Sequence, residues 1–110
     1  MVSITVLDVG SFPLALCTDE GRAVVYFSAS WCKPCQDMTP VFVELARRMD
    51  DSGIVFGAVD MAQSPTIAQS YGIRSVPSIT VFRQGLLLEV IPGKVTIDEA
   101  MTRVQQSLAL

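Results

Sequence analysis

Five short apolar runs along the chain predict five β-strands. The runs are continuous or rich in β-branched residues, the pattern found in strands buried on both faces. They are Ser3–Leu7, Ala23–Ser28, Ile54–Val59, Ser78–Arg83 and Leu86–Ile91. Only Gln84 and Gly85 separate the last two runs, and so short a turn predicts an antiparallel hairpin.

Apolar residues at helical spacing predict one long helix over residues 32–49. They recur at i, i+3, i+4, i+7, i+8 and i+11 and form a single stripe, which consists of Met38, Val41, Phe42, Leu45, Ala46 and Met49. Pro40 lies inside the helix, where its ring removes a backbone donor and crowds the preceding turn. We therefore expect a kink at Pro40.

Capping residues mark two shorter helices. Ser64 as N-cap and Pro65 at the first helical position open a helix that runs through Tyr71. Thr96 and Glu99 form a T-x-x-E capping box for the last helix. The residues that the last helix is expected to bury are Met101, Val104 and Leu108.

The elements alternate in the order β-α-β-α-β-α-β-β-α, in which the first helix is one or two turns within Phe12–Cys17. Parallel strands joined by helices, with a hairpin appended, predict an α/β fold whose mixed central sheet has helices on both faces. The chain has 110 residues, half of them hydrophobic, and no repeat or linker, so it can bury one core. We expect residues 1–110 to form a single domain.

Charge and composition narrow the classes of function. The formal net charge is -3 and no basic cluster is interleaved with aromatic residues, so nucleic acid is not an expected partner. The N-terminal residues lack the features of a secretory signal, and no apolar stretch approaches the roughly 20 residues that span a bilayer. We expect a soluble, cytoplasmic monomer without a membrane partner.

Two cysteines at CxxC spacing, Cys32 and Cys35, begin the long helix and are the main candidates for chemistry. Redox activity, a structural disulfide and half of a metal site are the three interpretations. Tetrahedral zinc takes four Cys or His ligands, and with three cysteines and no histidine only a dimer that pools two pairs supplies them. In a reducing compartment the pair favours redox chemistry. Cys17 is expected to pack in its apolar segment, with a regulatory or dimer-forming thiol as the alternative.

The position of Cys32 at a helix N-terminus favours its thiolate, because unpaired backbone N–H groups and the helix dipole stabilise negative charge there. Lys33 adds positive charge, and Pro34 restricts the loop between the cysteines. We predict that Cys32, at the exposed edge of the helix, is the nucleophile, and that Cys35, one turn further in and partly shielded, is the resolving thiol. Cys32 attacks a substrate disulfide, and Cys35 then attacks the mixed disulfide and releases the reduced substrate.

Several motifs along the chain fit one family. They are Trp31-Cys32-Lys33-Pro34-Cys35 followed by Pro40, Asp60 at the end of the third strand, the segment Tyr71-Gly72-Ile73-Arg74-Ser75-Val76-Pro77, and the glycines Gly85 and Gly93. With these residues the sequence resembles thioredoxins along essentially its whole length. The resemblance implies a thioredoxin fold, a three-layer α/β/α arrangement with a mixed central sheet of about five strands.

The resemblance also implies an activity and a binding surface. The activity is that of a dithiol reductase for protein disulfides, which a flavin-dependent, thioredoxin-reductase-like enzyme re-reduces with NADPH. No cofactor or metal is expected, because the cysteines are the redox group. Substrate segments are expected to bind around Cys32, and the Val76–Pro77 bond is expected to be cis, which leaves the backbone of Val76 free to pair with the substrate. The expected binding residues are Trp31, Ser75, Val76, Pro77, Pro92 and Gly93.

One departure from the family concerns the resolving step. Thioredoxins usually bury an acid where this chain has Tyr26, and they tend to place near it a lysine that residues 54–59 lack. The acid is thought to take the proton of the second cysteine, so Cys35 must lose its proton to water, to the departing thiolate or to a distant acid. Asp60 is the candidate proton relay. We expect a slower resolving step, which Tyr26→Asp should speed up.

A second departure concerns the direction of electron transfer. Lys33 stands where the family commonly has glycine, and the two residues between the cysteines tune reductase against oxidase activity. A specialised disulfide oxidase or isomerase is therefore an alternative to the reductase. A binding or assembly module that holds a partner on the same apolar surface is the alternative to an enzyme, although the intact cysteine pair favours catalysis.

Overall fold

The computed structural model describes residues 4–8, 10–12, 21–50 and 53–109. Five strands and three helices lie within these ranges. The strands are β1 (Ile4–Leu7), β2 (Arg22–Ser28), β3 (Val55–Asp60), β4 (Ser78–Arg83) and β5 (Leu86–Pro92). The helices are α1 (Lys33–Arg48), α2 (Pro65–Ser70) and α3 (Ile97–Leu108). The predicted order of these elements is confirmed, and the predicted turns within Phe12–Cys17 lie mostly outside the described residues.

The five strands form one mixed sheet in the order β1-β3-β2-β4-β5. The pairs β1/β3 and β3/β2 are parallel, whereas β2/β4 and the β4/β5 hairpin are antiparallel. Ser28 lies opposite Asp60, Phe27 opposite Ser78, and Ser78 opposite Pro92. One edge of the sheet therefore collects the carboxyl ends of β2, β3 and β5 and the start of β4.

Helices cover both faces of the sheet, which gives the predicted three layers. Because side chains alternate along a strand, β2 sends Val24 and Tyr26 to the face that α1 and α3 cover. It sends Ala23, Val25 and Phe27 to the opposite face, which contains α2. The central position of β2 explains why its interior residues are all apolar or aromatic and all buried.

The apolar stripe predicted for α1 packs against the sheet. Met38, Phe42, Leu45, Ala46 and Met49 are buried in one cluster, and the partly buried Val41 packs against it. The helix runs without a break across Pro40, and the kink at Pro40 stays a prediction. None of the helices in the described ranges is long and apolar enough to cross a membrane.

The two predicted N-caps differ in the structure. Thr96 Oγ1 accepts a hydrogen bond from the backbone N–H of Glu99 at 3.1 Å, as the capping box predicts. Ser64 is the N-cap residue of α2, as predicted, and its side chain makes no capping hydrogen bond. The chain enters α2 through a turn in which the backbone N–H of Ser64 donates to Asp60 O at 2.9 Å, and the serine side chain is buried.

Candidate active site

The two cysteines lie where β2 leads into α1. Cys32 is the N-cap residue of the helix, and its Sγ accepts a hydrogen bond from the backbone N–H of Cys35 at 3.2 Å. No acidic residue lies in the first turn, so nothing there opposes the helix dipole in stabilising a Cys32 thiolate. The two residues form a disulfide across a Cα–Cα distance of 5.3 Å. The predicted placement of Cys32 at the helix N-terminus is confirmed.

Both cysteines are buried in this disulfide form. Cys32 is 5% exposed and Cys35 is 4% exposed, so the expected shielding of Cys35 is confirmed, and the expected exposure of Cys32 is wrong for the disulfide form. Ala29 and Val76 account for the burial of Cys32, because they pack with the two cysteines in one small apolar cluster. Trp31, in contrast, is 71% exposed, which excludes a purely structural role in the core for this indole.

The residues predicted to bind substrate lie together at the same edge of the sheet. The Val76–Pro77 bond is cis, and Val76 packs against the disulfide. The backbone N–H of Gly93 donates to Pro77 O at 2.9 Å, which holds the end of β5 against the start of β4. Pro92 is paired with Ser78, and the Ser78 hydroxyl donates to the carbonyl of Ser75 at 2.8 Å. The structure therefore brings Ser75, Val76, Pro77, Pro92 and Gly93 to one place.

The side chains of the loop and of Asp60 make different contacts. Lys33 is exposed and Pro34 lies in the first turn of α1. Asp60 Oδ1 accepts a hydrogen bond from the backbone N–H of Ala62 at 2.8 Å, so its carboxylate caps the turn after β3. A role for Asp60 as a proton relay stays a prediction.

Tyr26 lies beneath Cys35. Its hydroxyl donates to the carbonyl oxygen of Cys35 at 3.1 Å and lies 3.1 Å from Thr39 Oγ1. Thr39 Oγ1 donates to the same carbonyl at 2.7 Å. The ring stacks on Phe42 with centroids 5.0 Å apart. Burial raises the pKa of the Tyr26 phenol, an effect that its hydrogen bond with Thr39 partly offsets.

Thr39 is the site residue that the sequence analysis missed. Thr39 sits among apolar positions of α1 and carries no ionisable group, so its residue type gives no sign of chemistry. Its spacing four residues after Cys35 was a usable sign, because a threonine hydroxyl in a helix can reach the carbonyl one turn earlier. Only the tertiary contact with Tyr26 shows that this bond belongs to the site.

Metal ligands are scarce around the cysteines. In the described ranges no group of three or more His, Cys, Asp or Glu residues is placed to hold a metal ion. The redox group that the structure does contain is the Cys32–Cys35 disulfide.

A family model for thioredoxin matches residues 3–106. The chain belongs to the thioredoxin family. Its thioredoxin fold is shown by a likeness to the crystal structure of thioredoxin from Malassezia sympodialis, with a TM-score of 0.87, 26% identity and coverage of 98% of this chain and 93% of the other.

Two relatives show how far the sequence similarity extends in this thioredoxin-family chain. Thioredoxin of Pyropia yezoensis is 32% identical over 94 residues, which are 86% of this chain and 87% of the relative. A Streptomyces coelicolor relative is 34% identical over 87 residues, which are 79% of this chain. The match spans 63% of the Streptomyces protein's length, just under two thirds. Family, fold and disulfide together support a thiol–disulfide oxidoreductase.

Proposed function

We propose that this thioredoxin-family protein reduces disulfide bonds in other proteins. The observation that carries the proposal is the disulfide between the N-cap residue of α1 and the third residue of that helix, with Cys32 Sγ accepting the backbone N–H of Cys35. The same N–H and the helix N-terminus stabilise a thiolate on Cys32 in the reduced form, which makes it the attacking sulfur.

The reaction proceeds through a mixed disulfide. The Cys32 thiolate attacks one sulfur of the substrate disulfide and forms a new S–S bond, while the other substrate sulfur leaves with the electron pair and takes a proton. The Cys35 thiolate then attacks Cys32 Sγ, which releases the second substrate sulfur and forms the Cys32–Cys35 disulfide. The substrate gains two electrons and two protons, and the protein dithiol loses them. A thioredoxin-reductase-like enzyme is the proposed donor that restores the dithiol.

The substrate is proposed to be an extended protein segment. Trp31, the chain neighbour of Cys32, exposes a large apolar side chain, and Val76 packs against the two cysteines. An exposed apolar surface of this kind is typical of a protein-interaction site. It can bind an extended segment of a substrate protein with the substrate disulfide over Cys32, and no shaped pocket is needed. The protein is proposed to act as a monomer in a reducing compartment such as the cytoplasm, although two Arabidopsis relatives are described as chloroplastic.

The reduction potential of the cysteine pair tests the direction of transfer. The protein is equilibrated in dithiothreitol or glutathione buffers, and the disulfide is followed by the fluorescence of Trp31, the single tryptophan. A potential near about -270 mV, the value for thioredoxin, is expected for a reductase. A value between about -180 and -120 mV would instead indicate an isomerase or oxidase.

Two cysteine variants separate an enzyme from a binding module. Cys32→Ser is expected to abolish reduction of a protein disulfide such as that of insulin, because no nucleophile remains. Cys35→Ser is expected to accumulate a mixed disulfide with substrate proteins, because the resolving thiol is missing. A Cys32→Ser protein that keeps its full effect on a partner would show that the protein acts by binding alone. Cys17→Ser serves as the matched control and is expected to keep full activity.

A further inference from the structure

Three oxygen atoms meet under the resolving cysteine. The carbonyl oxygen of Cys35 accepts hydrogen bonds from the hydroxyls of both Tyr26 and Thr39, and the two hydroxyl oxygens lie 3.1 Å apart. Each hydroxyl has a single hydrogen, so two hydrogens serve three contacts. If both donate to the carbonyl of Cys35, none is left for the contact between the hydroxyls; if one hydroxyl donates to the other, the second still donates to the carbonyl. At least one donor therefore reaches the Cys35 carbonyl in either arrangement.

Tyr26 is held firmly enough to act as an anchor. It is 2% exposed, belongs to the central strand β2 and stacks on Phe42 of α1. Thr39 belongs to the same helix as Cys35, one turn further on. The cluster therefore ties the backbone of Cys35 both to the sheet, through Tyr26, and to its own helix, through Thr39.

We propose that Tyr26 and Thr39 position the resolving cysteine: they hold the Cys35 carbonyl so that Cys35 Sγ stays within reach of Cys32 Sγ, and they transfer no proton. The proposal rests on the function proposed above and extends it. Holding one reacting group in place accelerates an intramolecular attack, because less freedom is lost on the way to the transition state. Tyr26 thus contributes to the resolving step in a way that a buried acid would not.

The surroundings of Tyr26 support a role without proton transfer. Burial raises the pKa of its phenol, so the hydroxyl stays protonated at neutral pH and is no base. Its ring lies in a cluster of buried apolar side chains from α1, α3 and the sheet, and its hydroxyl contacts Thr39 and the Cys35 carbonyl. Asp60, at the end of β3 on the same face, accepts the backbone N–H of Ala62 with its carboxylate. The charged residues of α1, α3 and β5 whose ion pairs the structure describes form them at the surface or its edge; they are Asp37, Glu44, Arg47, Arg48, Glu89, Asp98 and Arg103.

The proton balance of the step then involves the cysteines and solvent. Cys35 loses its proton to water or buffer, its thiolate attacks Cys32 Sγ, the bond from Cys32 to the substrate sulfur breaks, and that sulfur leaves with the electron pair. The pH dependence of the step should therefore follow the ionisation of Cys35 and not that of Tyr26.

A small aromatic disulfide separates the two attacks in time. Reduced protein is mixed with dithiobis(nitrobenzoate), which Cys32 attacks with release of one coloured thionitrobenzoate anion. Cys35 then attacks Cys32 Sγ and releases the second anion. The rate of the first phase is proportional to the reagent concentration, because that step is bimolecular. The rate of the second phase is independent of the reagent, because that step is intramolecular. All proteins carry Cys17→Ala, because a third thiol would release thionitrobenzoate of its own.

The variants are Tyr26→Phe, which keeps the ring and removes the hydroxyl, Thr39→Ala, and the two combined. Each single change is expected to slow the second phase about two- to five-fold, the range that one lost hydrogen bond of ordinary strength allows. The first phase should be unchanged. In the double variant the second phase should slow by more than the product of the two single factors, because in each single variant the remaining hydroxyl still holds the carbonyl.

Tyr71→Phe is the matched control. Tyr71 contacts Phe12 and Phe82 on the opposite face of the sheet, so its hydroxyl is remote from the cluster. This control should keep both phases, whatever its effect on stability. If Tyr26 had only a structural role, Tyr26→Phe would lower the melting temperature and leave the ratio of the two phase rates unchanged.

Two results would overturn the proposal. One is a second phase that is as fast in the double variant as in the parent. The other is a loss in Tyr26→Phe that varies with pH, since that would assign proton transfer to the phenol; we expect the same ratio at every pH. Failure of the proposed function would differ from both, because the parent protein would then not reduce a protein disulfide such as that of insulin, whereas its two phases with the reagent would still compare the variants.

Discussion

The two aromatic side chains near the disulfide differ in exposure: Trp31 is mostly exposed and Tyr26 is buried. The residues packed around each position explain its exposure. Trp31 projects from the loop before α1 and is mostly exposed, while Cys32, its chain neighbour, is covered by Ala29 and Val76. Tyr26 fills its site with an aromatic ring stacked on Phe42. Tyr26→Asp would therefore remove that packing and bury a carboxylate without a lysine partner. Slower turnover of this variant could come from either loss, so it would not by itself test whether an acid at this position relays a proton.

Gly21 illustrates a backbone requirement at a single residue. Its φ is +65°, and a Cβ atom added there would lie 2.8 Å from Gln84 N and 2.9 Å from Gln84 Cα. Gly21→Ala should therefore lower the free energy of unfolding by about 2 to 3 kcal/mol, since both a positive φ and a backbone clash are involved. Urea titration measures this change.

Gly72→Ala is the control for the clash at Gly21. Its φ is +69°, and nothing lies within 4 Å of an added Cβ, so the substitution carries only the conformational cost of about 1 kcal/mol. Equal losses in the two variants would contradict the assignment of the larger effect to Gln84.

The long helix α1 combines separate tasks along its length. Its N-terminus carries the disulfide, its middle packs Met38, Phe42 and Leu45 on the sheet, and its last turns hold an exposed ion pair network. In that network Arg47 and Arg48 hydrogen-bond Glu44 and lower the pKa of its carboxyl to about 2. Such exposed pairs add little to stability, so the packed stripe and not the charges holds this helix in place.

The N-caps of α2 and α3 provide a matched pair of helix variants. Thr96→Ala removes the bond to the backbone N–H of Glu99 and should lower the free energy of unfolding by about 1 kcal/mol. Ser64→Ala removes no capping bond and should change it by less than half as much. Denaturant unfolding of both variants checks the difference, and a larger loss from Ser64→Ala would be evidence against this reading of the caps.

At the scale of the whole molecule, polar contacts join the edge of the sheet to the last helix. Glu89 of β5 is hydrogen-bonded by the Ser107 hydroxyl at 2.7 Å and by the Arg103 guanidinium, both on α3. Arg83 of β4 donates to the carbonyl of Leu108 at 2.7 Å. These contacts fix α3 over the hairpin whose far end carries Pro92 and Gly93, and so they support the site from a distance.

Glu89 should make stability depend on pH. The hydrogen bond from Ser107 and then that from Arg103 hold the pKa of its carboxyl below the usual value, which is about 4.3 in an unfolded chain. Its contribution is therefore complete above that value and is lost as the pH falls through the lower folded pKa. Glu89→Gln should cost about 1 kcal/mol at pH 7, with the difference from the parent vanishing in acid.

Thermal or urea unfolding from neutral to acidic pH measures this effect. Asp98→Asn is the control, because Asp98 is 92% exposed and its nearest ion-pair atom is 3.9 Å away on Arg48. A Glu89→Gln loss that stays constant as the pH falls would show that packing, and not the charge, is responsible.

The sequence by itself determined most of the architecture and the identity of the redox pair. Apolar periodicity located all five strands and α1 within about a residue of their bounds. The reason is that a strand buried on both faces gives a continuous apolar run, whereas a helix buried along one stripe gives apolar residues every three or four positions. The CxxC pair with its flanking Trp31 and Pro34 identified the position of the Cys32–Cys35 disulfide without any knowledge of packing. The capping box at Thr96 was equally local, since its donor and acceptor are three residues apart.

The tertiary structure alone decided how the cysteines are covered and what lies under them. Val76 is more than forty residues from Cys32 in sequence, and only the sheet brings the two together to bury the disulfide. Tyr26 and Thr39 share the carbonyl of Cys35 because β2 crosses beneath α1, a contact that no periodicity records. Local patterns depend on neighbouring residues, whereas the burial and hydrogen bonding of a site depend on which distant elements the fold packs together.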